Sequence, residues 1–247
     1  MKNIWTIAKR EYETYFNSPL AYAVALALLL PIGIYFAIIM FVSAQQTIYG
    51  GPAPDNTPIT WLFVFLLIFL GPAITMRLIS DEARMGTLEL LLTSPVRELE
   101  LVAGKWFGAF LFVLTLLAVT LIFPFIMNNY VEPRLDLLML ISSYLGVILI
   151  TAALLALGTG ISAIFTNQFA AFFVTLGLYF FLWFMVSLPA NFIQQAGDVF
   201  NYLSLSNHFS DSMNTGTINL GDVVYFLSLT ALGLFTGTTA IEIRRWR

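Results

Sequence analysis

The sequence predicts an all-α polytopic membrane protein with six transmembrane helices and both termini in the cytoplasm. Of its 247 residues, 59% are hydrophobic and only 10% are charged, whereas soluble proteins carry roughly 25% charged residues. The apolar residues gather into six stretches, each long enough to cross a bilayer, which takes about 20 residues. Cysteine is absent and histidine occurs once, which excludes a disulfide framework and leaves little room for metal or acid–base chemistry.

The six apolar stretches form one transmembrane domain over residues 1–247. The first stretch starts too late and runs too long to be the core of a cleaved signal peptide, so we expect it to remain as a span. Two of the segments between spans are large enough to hold structure of their own, a charged one at 80–104 and a long external one at 189–221. The predicted spans are approximately Leu20–Val42, Ile59–Ile79, Lys105–Met127, Leu137–Phe165, Phe169–Leu188 and Asp222–Ile243.

The distribution of basic residues predicts the orientation. Lysine and arginine between spans favour the cytoplasm. With a cytoplasmic N-terminus, ten of the eleven Lys and Arg residues fall inside and only Arg134 falls outside. The sequence therefore predicts that the N-terminus and the C-terminus both lie in the cytoplasm.

Residues 1–19 form an amphipathic element before the first span. At the helical period, Ile4, Trp5, Ala8, Tyr12, Tyr15 and Phe16 share one face, and most of the polar residues share the other. This pattern is typical of a helix at the membrane interface. Pro19 then permits a bend into the first span; the alternative is that this stretch is only the start of a longer helix.

The charged segment 80–104 contains a short predicted helix. Gly86 and Pro95 mark its ends, and Leu88, Leu91 and Leu92 lie on one face. Because so short a helix is stable only against something else, it is interpreted as a docking element for another protein. From the residue pattern alone, an ordinary charged loop that enforces topology explains the segment equally well.

The chain lacks the motifs of an enzyme. A phosphate-binding P-loop reads G-x-x-x-x-G-K-[ST]. Lys105, in the sequence Ala103-Gly104-Lys105-Trp106, does not have the set of glycines that wraps a phosphate. We expect Gly158 and Gly160 to serve helix packing, and His208 to be a solvated or hydrogen-bonded loop residue. Because the span interiors hold no carboxylate, an ion-coupled carrier is disfavoured. We therefore predict no catalytic, cofactor-binding or metal-binding residues.

The charged segment resembles the signature of type-2 ABC transporter permeases. From Asp81 it reads acidic-x-x-x-x-G-T-x-E-x-L-L-x-x-P, followed by Gly104-Lys105 at the next span. The C-terminal part is similar to the short gliding-motility and nitrous-oxide-reductase maturation permeases. The motifs that carry this second similarity are Tyr202-Leu203-Ser204, Asn207-His208-Phe209, Gly216-Thr217-Ile218, Val223-Val224-Tyr225-Phe226 and Glu242-Ile243-Arg244-Arg245-Trp246.

The resemblance implies half of a transporter. Two permeases, identical or paralogous, would pair in the membrane, and each would dock on a separate ATPase subunit that holds ATP and Mg. Residues 1–19 would be the connecting helix, Gly86–Ser94 the coupling helix, and 189–221 would hold re-entrant helices. The expected ATPase contacts are Glu82, Arg84, Gly86, Thr87, Leu88, Glu89, Leu91, Leu92 and Pro95, with a second, smaller contact at Phe165, Thr166, Asn167 and Gln168.

Aromatic residues of spans two and five are candidates for a substrate path or dimer seam, although lipid-facing packing explains them equally well. They are Phe63, Phe65, Phe69, Phe172, Phe173 and Phe180. The leading functional hypothesis is the permease subunit of an ABC exporter in a prokaryotic cytoplasmic membrane. The alternatives are a membrane subunit that transmits force to an extracytoplasmic partner protein, and an ion-coupled carrier. Membrane lipid is an expected partner in each case, and nucleic acid is not.

Overall fold

The computed structural model describes residues 2–47, 54–87, 96–130, 135–191 and 197–245, which are helical apart from short links. Within these ranges, four short helices of types other than α lie between Phe180 and Leu220. They are a π-helix at Phe181–Met185, a 3-10 helix at Leu188–Asn191, a π-helix at Asn207–Ser212 and a 3-10 helix at Met213–Thr215. The α-helices are α1 Lys2–Phe16, α2 Pro19–Thr47, α3 Thr57–Thr75, α4 Ser80–Met85, α5 Glu98–Thr120, α6 Ile122–Tyr130, α7 Leu137–Ile164, α8 Gln168–Phe180, α9 Gly197–Leu203 and α10 Leu220–Arg245.

Six helical stretches of the described chain are long and apolar enough to cross a membrane, as predicted. They are Pro19–Gln45, Thr57–Met85, Glu98–Tyr130, Leu137–Ile164, Gln168–Met185 and Leu220–Arg245. The third begins seven residues before its predicted start at Lys105. The carboxylate of Glu100 accepts a hydrogen bond from the backbone N–H of Arg97 at 3.2 Å, which starts the helix within the charged segment.

The spans α3 and α7 form the centre of the bundle, and α2 lies at its edge. About half of the most apolar window of each central span is buried, against 17% for α2. Small residues allow the close helix contacts, as predicted for Gly158 and Gly160. A β-carbon added at Gly160 would lie 2.6 Å from the carbonyl oxygen of Gly233, so α7 and α10 are in backbone contact there.

One end of the bundle gathers most of the charged residues, and we call it the basic end. Asn3 of α1 donates a hydrogen bond to Glu100 at 3.0 Å, and the guanidinium of Arg245 lies 2.5 Å from a carboxylate oxygen of Glu98. Arg244 donates to the carbonyl oxygen of Ile164 at 2.9 Å. These contacts join the start of α1, the start of α5 and the ends of α7 and α10 on the side predicted to be cytoplasmic.

The opposite end holds the long segment before α10, folded into the bundle as short helices. The hydroxyl of Ser142 donates to the carbonyl oxygen of Met213 at 2.7 Å, and the hydroxyl of Thr60 donates to Asn214 at 2.6 Å. Leu205, Phe209 and Met213 are fully buried. The described part of the segment around residues 205–213 therefore belongs to the protein core, whereas Val199, Tyr202 and Leu203 of α9 are exposed.

A buried contact between a histidine and an aspartate ties this segment to α10. Nδ1 of His208 lies 2.6 Å from a carboxylate oxygen of Asp222, and Nε2 lies 2.6 Å from the carbonyl oxygen of Tyr202. Because a carbonyl oxygen only accepts, the Nε2–H group of His208 is the donor to Tyr202. Both ring nitrogens therefore have a polar partner within the chain. Of the two predicted states of His208, the hydrogen-bonded one is confirmed and the solvated one is wrong, because the residue is only 7% exposed.

Replacement of Gly233 by alanine is expected to destabilise the protein. The new methyl group would meet the backbone of Ala156 and Leu157, which cannot move aside as a flexible side chain can. The expected cost is about 1–3 kcal/mol, read as a lower melting temperature in detergent. Gly177→Ala is the matched control, because nothing lies within 4 Å of the added atom; equal melting temperatures for the two variants would contradict the packing argument.

Replacement of His208 by alanine should lower the melting temperature more than Asp222→Asn does. The first change leaves the buried side chain of Asp222 without its ring partner and the carbonyl oxygen of Tyr202 without its donor, at a cost of about 1–3 kcal/mol for each unpaired group. In the second, the imidazole can still donate to Tyr202 and accept from the new amide, while the Ser212 hydroxyl, 2.5 Å from Asp222 Oδ2, keeps an acceptor. Thermal unfolding in detergent measures both, and a larger loss for Asp222→Asn would contradict the role given to the ring.

Candidate functional site

The start of helix α4, at the basic end, is hydrogen-bonded to α7, one of the two central helices of the bundle. The backbone N–H groups of Ile79 and Ser80 both donate to the hydroxyl of Ser162 at 3.1 Å. That hydroxyl in turn donates to the carbonyl oxygen of Met76 at 3.2 Å. A displacement of α4 is therefore passed to α7 as well as to α3, from which α4 follows directly.

A left-handed glycine ends α4. Gly86 has φ +72°, a conformation that favours glycine because other residues clash there, and Thr87 donates to the carbonyl oxygen of Glu82 at 3.3 Å. Gly86 was predicted at the start of a short helix; in the structure it closes the preceding one. The predicted contacts Leu88, Glu89, Leu91, Leu92 and Pro95 lie outside the described residues.

The link between α7 and α8 lies directly beside α4. The side chain of Asn167 caps α8 by accepting from the backbone N–H of Phe169 at 2.9 Å. The side-chain amide of Gln168 donates to the carboxylate of Asp81, which also pairs with Arg84 at 2.9 Å. The two segments predicted as ATPase contacts thus share one cleft, lined by Ala83, Arg84, Thr166, Asn167, Gln168 and Phe169.

A buried lysine joins three elements next to this cleft. Nζ of Lys105 in α5 lies 2.8 Å from a carboxylate oxygen of Glu82 in α4 and 3.4 Å from one of Glu11 in α1. The lysine side chain is 6% exposed, and those of Glu82 and Glu11 are 23% and 21% exposed. Two of the charged residues predicted as ATPase contacts, Glu82 and Arg84, are described, and each has an ionic partner within the chain; Glu82 is 23% exposed and Arg84 is 63% exposed.

The helix α1 packs lengthwise along α5. A β-carbon added at Gly108 would lie 2.8 Å from the carbonyl oxygen of Ala8, so the two backbones touch. Further along, the hydroxyl groups of Tyr12 and Thr115 lie 3.0 Å apart. The helix is amphipathic as predicted, but much of its apolar face contacts α5 rather than lipid alone.

The position of Tyr15 connects α1 to the end of the second span. Its ring stacks on Phe112 with centroids 4.8 Å apart, and its hydroxyl donates to the carbonyl oxygen of Ile74 at 3.0 Å. Burial raises the pKa of Tyr15 well above its ordinary value, Glu11 raises it further, and Arg77 lowers it. The hydroxyl therefore remains a neutral hydrogen-bond donor at any physiological pH.

Sequence reasoning missed the Lys105 network. The sequence pattern identifies Lys105 only as a cytoplasmic charge and gives Glu11 no role, because these two residues are 94 residues apart along the chain. One signal was available: Lys105 stands between Gly104 and Gly108, a small-xxx-small spacing that predicts close approach of another helix. A charge on such a face needs a partner of opposite sign.

The aromatic residues predicted for a substrate path or dimer seam differ in their exposure. Phe63 is 1% exposed and belongs to the core of this chain, so it does not reach a surface between two copies. Phe69, Phe173 and Phe180 are 40%, 65% and 39% exposed. Phe65 and Phe172 are partly buried.

Six apolar helices and a charged, structured end define a polytopic subunit of a membrane transport system. The family model of the ABC-2 family transporter proteins matches residues 35–231 of the chain. The chain belongs to this family, and it is the membrane subunit of an ABC transporter rather than its catalytic subunit. No curated protein matches the chain.

Replacement of Lys105 by methionine should loosen α1 and lower the melting temperature. The change leaves the carboxylates of Glu11 and Glu82 without a cation in a largely buried position, at an expected cost of about 2 kcal/mol. Faster hydrogen exchange confined to α1 and α4 is the diagnostic measurement. The matched control is Lys9→Met, because Lys9 pairs with Glu13 at 3.9 Å with both side chains more than 60% exposed, and such pairs contribute little. Equal exchange in the two variants would contradict the assigned role of Lys105.

Proposed function

We propose that this chain is the permease subunit of an ATP-driven exporter in a prokaryotic cytoplasmic membrane. Two permeases, identical or paralogous, would sit on two nucleotide-binding subunits, which hold ATP and Mg and hydrolyse the ATP. Family membership supports association with ABC ATPase subunits. The observation that carries the coupling step is the cleft at the basic end, where α4 and the α7–α8 link meet.

The cleft has the properties that a docking surface needs. Arg84 is exposed but held by its 2.9 Å contact with Asp81, and Asp81 is held by Gln168. Ordered polar groups around an exposed charge lose less side-chain entropy on binding than mobile ones do. On this proposal Arg84, Gly86 and Thr87 contact the ATPase together with Leu88, Glu89, Leu91, Leu92 and Pro95, and residues 165–168 form the second contact.

Movement of the ATPase subunits would reach the spans through two routes. The helix α4 continues directly from α3, and Glu82 of α4 pairs with Lys105 of α5 at 2.8 Å. When the nucleotide-binding subunits close on ATP, α3 and α5 would tilt together because this buried ion pair joins them. In the proposed assembly Glu82 connects α4 to α5 inside the chain rather than contacting the ATPase directly.

The exposed aromatic residues of α3 and α8 are proposed to border the path between two permease copies. Phe69, Phe173 and Phe180 remain on the surface of the single chain, and α3 contacts α8. An apolar border of this kind suits a lipid-like or hydrophobic substrate. Phe65 and Phe172 support these side chains through ring contacts of 5.3 Å with Phe69 and Phe173.

A second candidate function is force transmission to an extracytoplasmic partner. It is favoured by the outer segment, which is tied to α3 through Asn214, to α7 through Ser142 and to α10 through His208. Motion of these spans would therefore reach the outer surface. Reconstituted complexes that hydrolyse ATP and bind an outer protein without moving a solute would support this function over export.

An ion-coupled carrier has less support. The buried charges of Lys105, His208 and Asp222 lie at the ends of spans, and each has an ionic partner within the chain. Ion-coupled carriers place such groups near the membrane midplane.

Charge reversal at the proposed docking surface should release the ATPase subunit. We expect Arg84→Glu and Glu89→Arg each to lower the amount of co-purified ATPase about tenfold, because a charged contact at a docking surface becomes a repulsion. The matched control is Asp211→Arg, a reversal at an exposed residue of the opposite end. Unchanged recovery of the ATPase with both variants would refute the docking surface.

A further inference from the structure

The basic end holds a cavity that the docking surface does not use. Its volume is about 350 Å³, within the range of small-ligand sites. Its walls come from α1, the start of α2, the end of α3 with α4, and the start of α5. The cleft at the α7–α8 link is a separate feature with different lining residues.

The charges around this cavity are unevenly paired. Four carboxylates line it and share three cations: Lys105 pairs with both Glu11 and Glu82, Arg84 with Asp81, and Arg245 with Glu98. Three exposed arginines line it as well, Arg10, Arg77 and Arg97, and none of them has an ion-pair partner within the described ranges. The rim of the cavity therefore presents three guanidinium groups that are not engaged by a carboxylate of the described chain.

Part of the lining is apolar. Ile7 and Leu20 are partly exposed to the same space, and the buried side chains of Leu78 and Leu101 lie behind it. Leu20 belongs to the first turn of the first span, so this part of the lining begins where a membrane-spanning helix begins. The lining suits a ligand with an anionic group near the arginines and hydrocarbon near Leu20.

One buried acceptor adds to the chemistry. Glu82 Oε2 is buried and has no hydrogen-bond partner among the described residues, although the other oxygen of Glu82 pairs with Lys105. An orphan buried acceptor costs free energy until a donor reaches it. A headgroup that bears hydroxyl groups beside its phosphate would supply that donor.

We propose that this cavity binds the headgroup of an anionic glycerophospholipid of the cytoplasmic leaflet, of the phosphatidylglycerol class. Its phosphodiester would lie among Arg10, Arg77 and Arg97, since guanidinium groups match phosphate oxygens in geometry and charge. A headgroup hydroxyl would donate to Glu82, and the acyl chains would leave along Leu20, which is partly exposed. Basic pockets between transmembrane helices on the cytoplasmic side suit such lipids. The site does not depend on the ATPase docking proposed above.

Native mass spectrometry of the purified full chain, titrated with phosphatidylglycerol or phosphatidylcholine, tests the site. We expect one phosphatidylglycerol to bind about 30- to 100-fold more tightly than phosphatidylcholine, the order expected for two or three arginines near an anionic lipid. The single variants Arg10→Gln and Arg77→Gln should each weaken this preference, and the double variant should lose it. Lys9→Gln removes one positive charge at the position before Arg10 but outside the cavity, and it should keep the preference.

Two further measurements distinguish the lipid site from misfolding of a variant and from binding of a free phosphate. Arg77→Lys should fold and retain most of the preference, which separates loss of the site from misfolding of the double variant. Glycerol phosphate at millimolar concentration should not displace the lipid, because it lacks the acyl chains. Equal affinity for the two lipids, a preference retained by the double variant, or displacement by glycerol phosphate would each overturn the proposal.

Discussion

The position of Lys105 is the constraint on which the basic end depends. A buried ammonium group is costly unless carboxylates surround it, and Lys105 draws one from α1 and one from α4. Removal of either partner leaves the lysine with a single carboxylate, so the three elements hold one another in place. In a bilayer the hydrophobic effect does not drive helices together, which makes such polar contacts more decisive than in a soluble bundle.

The opposite end follows the same rule with different chemistry. There the buried group is His208, which contacts the carboxylate of Asp222 on one side and donates to the carbonyl oxygen of Tyr202 on the other. The pair joins the outer segment to α10, just as Lys105 joins α1 and α4 to α5. Between these ends the helices are held by close approach at small residues such as Gly160 and Gly233. Polar contacts thus hold the helices together at the two ends of the bundle, and close packing at small residues holds them together in its middle.

Much of the fold could be predicted from the sequence because the bilayer imposes a length on every span. The six spans emerge from apolar runs alone, and the basic residues predict the orientation. The start of α5 was placed seven residues too late, since hydropathy marks where apolar residues begin and not where a helix begins. The cap that Glu100 makes at Arg97 is a hydrogen bond that hydropathy does not register.

The candidate site was predictable only in part, for a different reason. The motif around Gly86 marks the charged segment that holds α4, whose contact with an ATPase stays a prediction. However, the pairings of Lys105 with Glu11 and of Asp81 with Gln168 join residues far apart in sequence, and local patterns carry no information about such contacts. Phe63 illustrates the same limit. In an apolar run, a residue buried inside one chain cannot be distinguished from one exposed at a seam between two chains.

The contacts also determine which spans would follow a movement of α4. Ser162 connects α4 to α7, Lys105 connects it to α5, and α3 continues into it. The first span lies at the edge of the bundle, and only 17% of its most apolar window is buried in the chain. A movement applied at residues 84–87 would therefore displace α3, α5 and α7 as a unit. Relative motion would concentrate where α2 meets that unit, next to Leu20 of the proposed lipid cavity. An anionic headgroup bound between α1, α2 and α3 would stabilise one arrangement of that boundary over another, so the lipid would bias the resting position of α4.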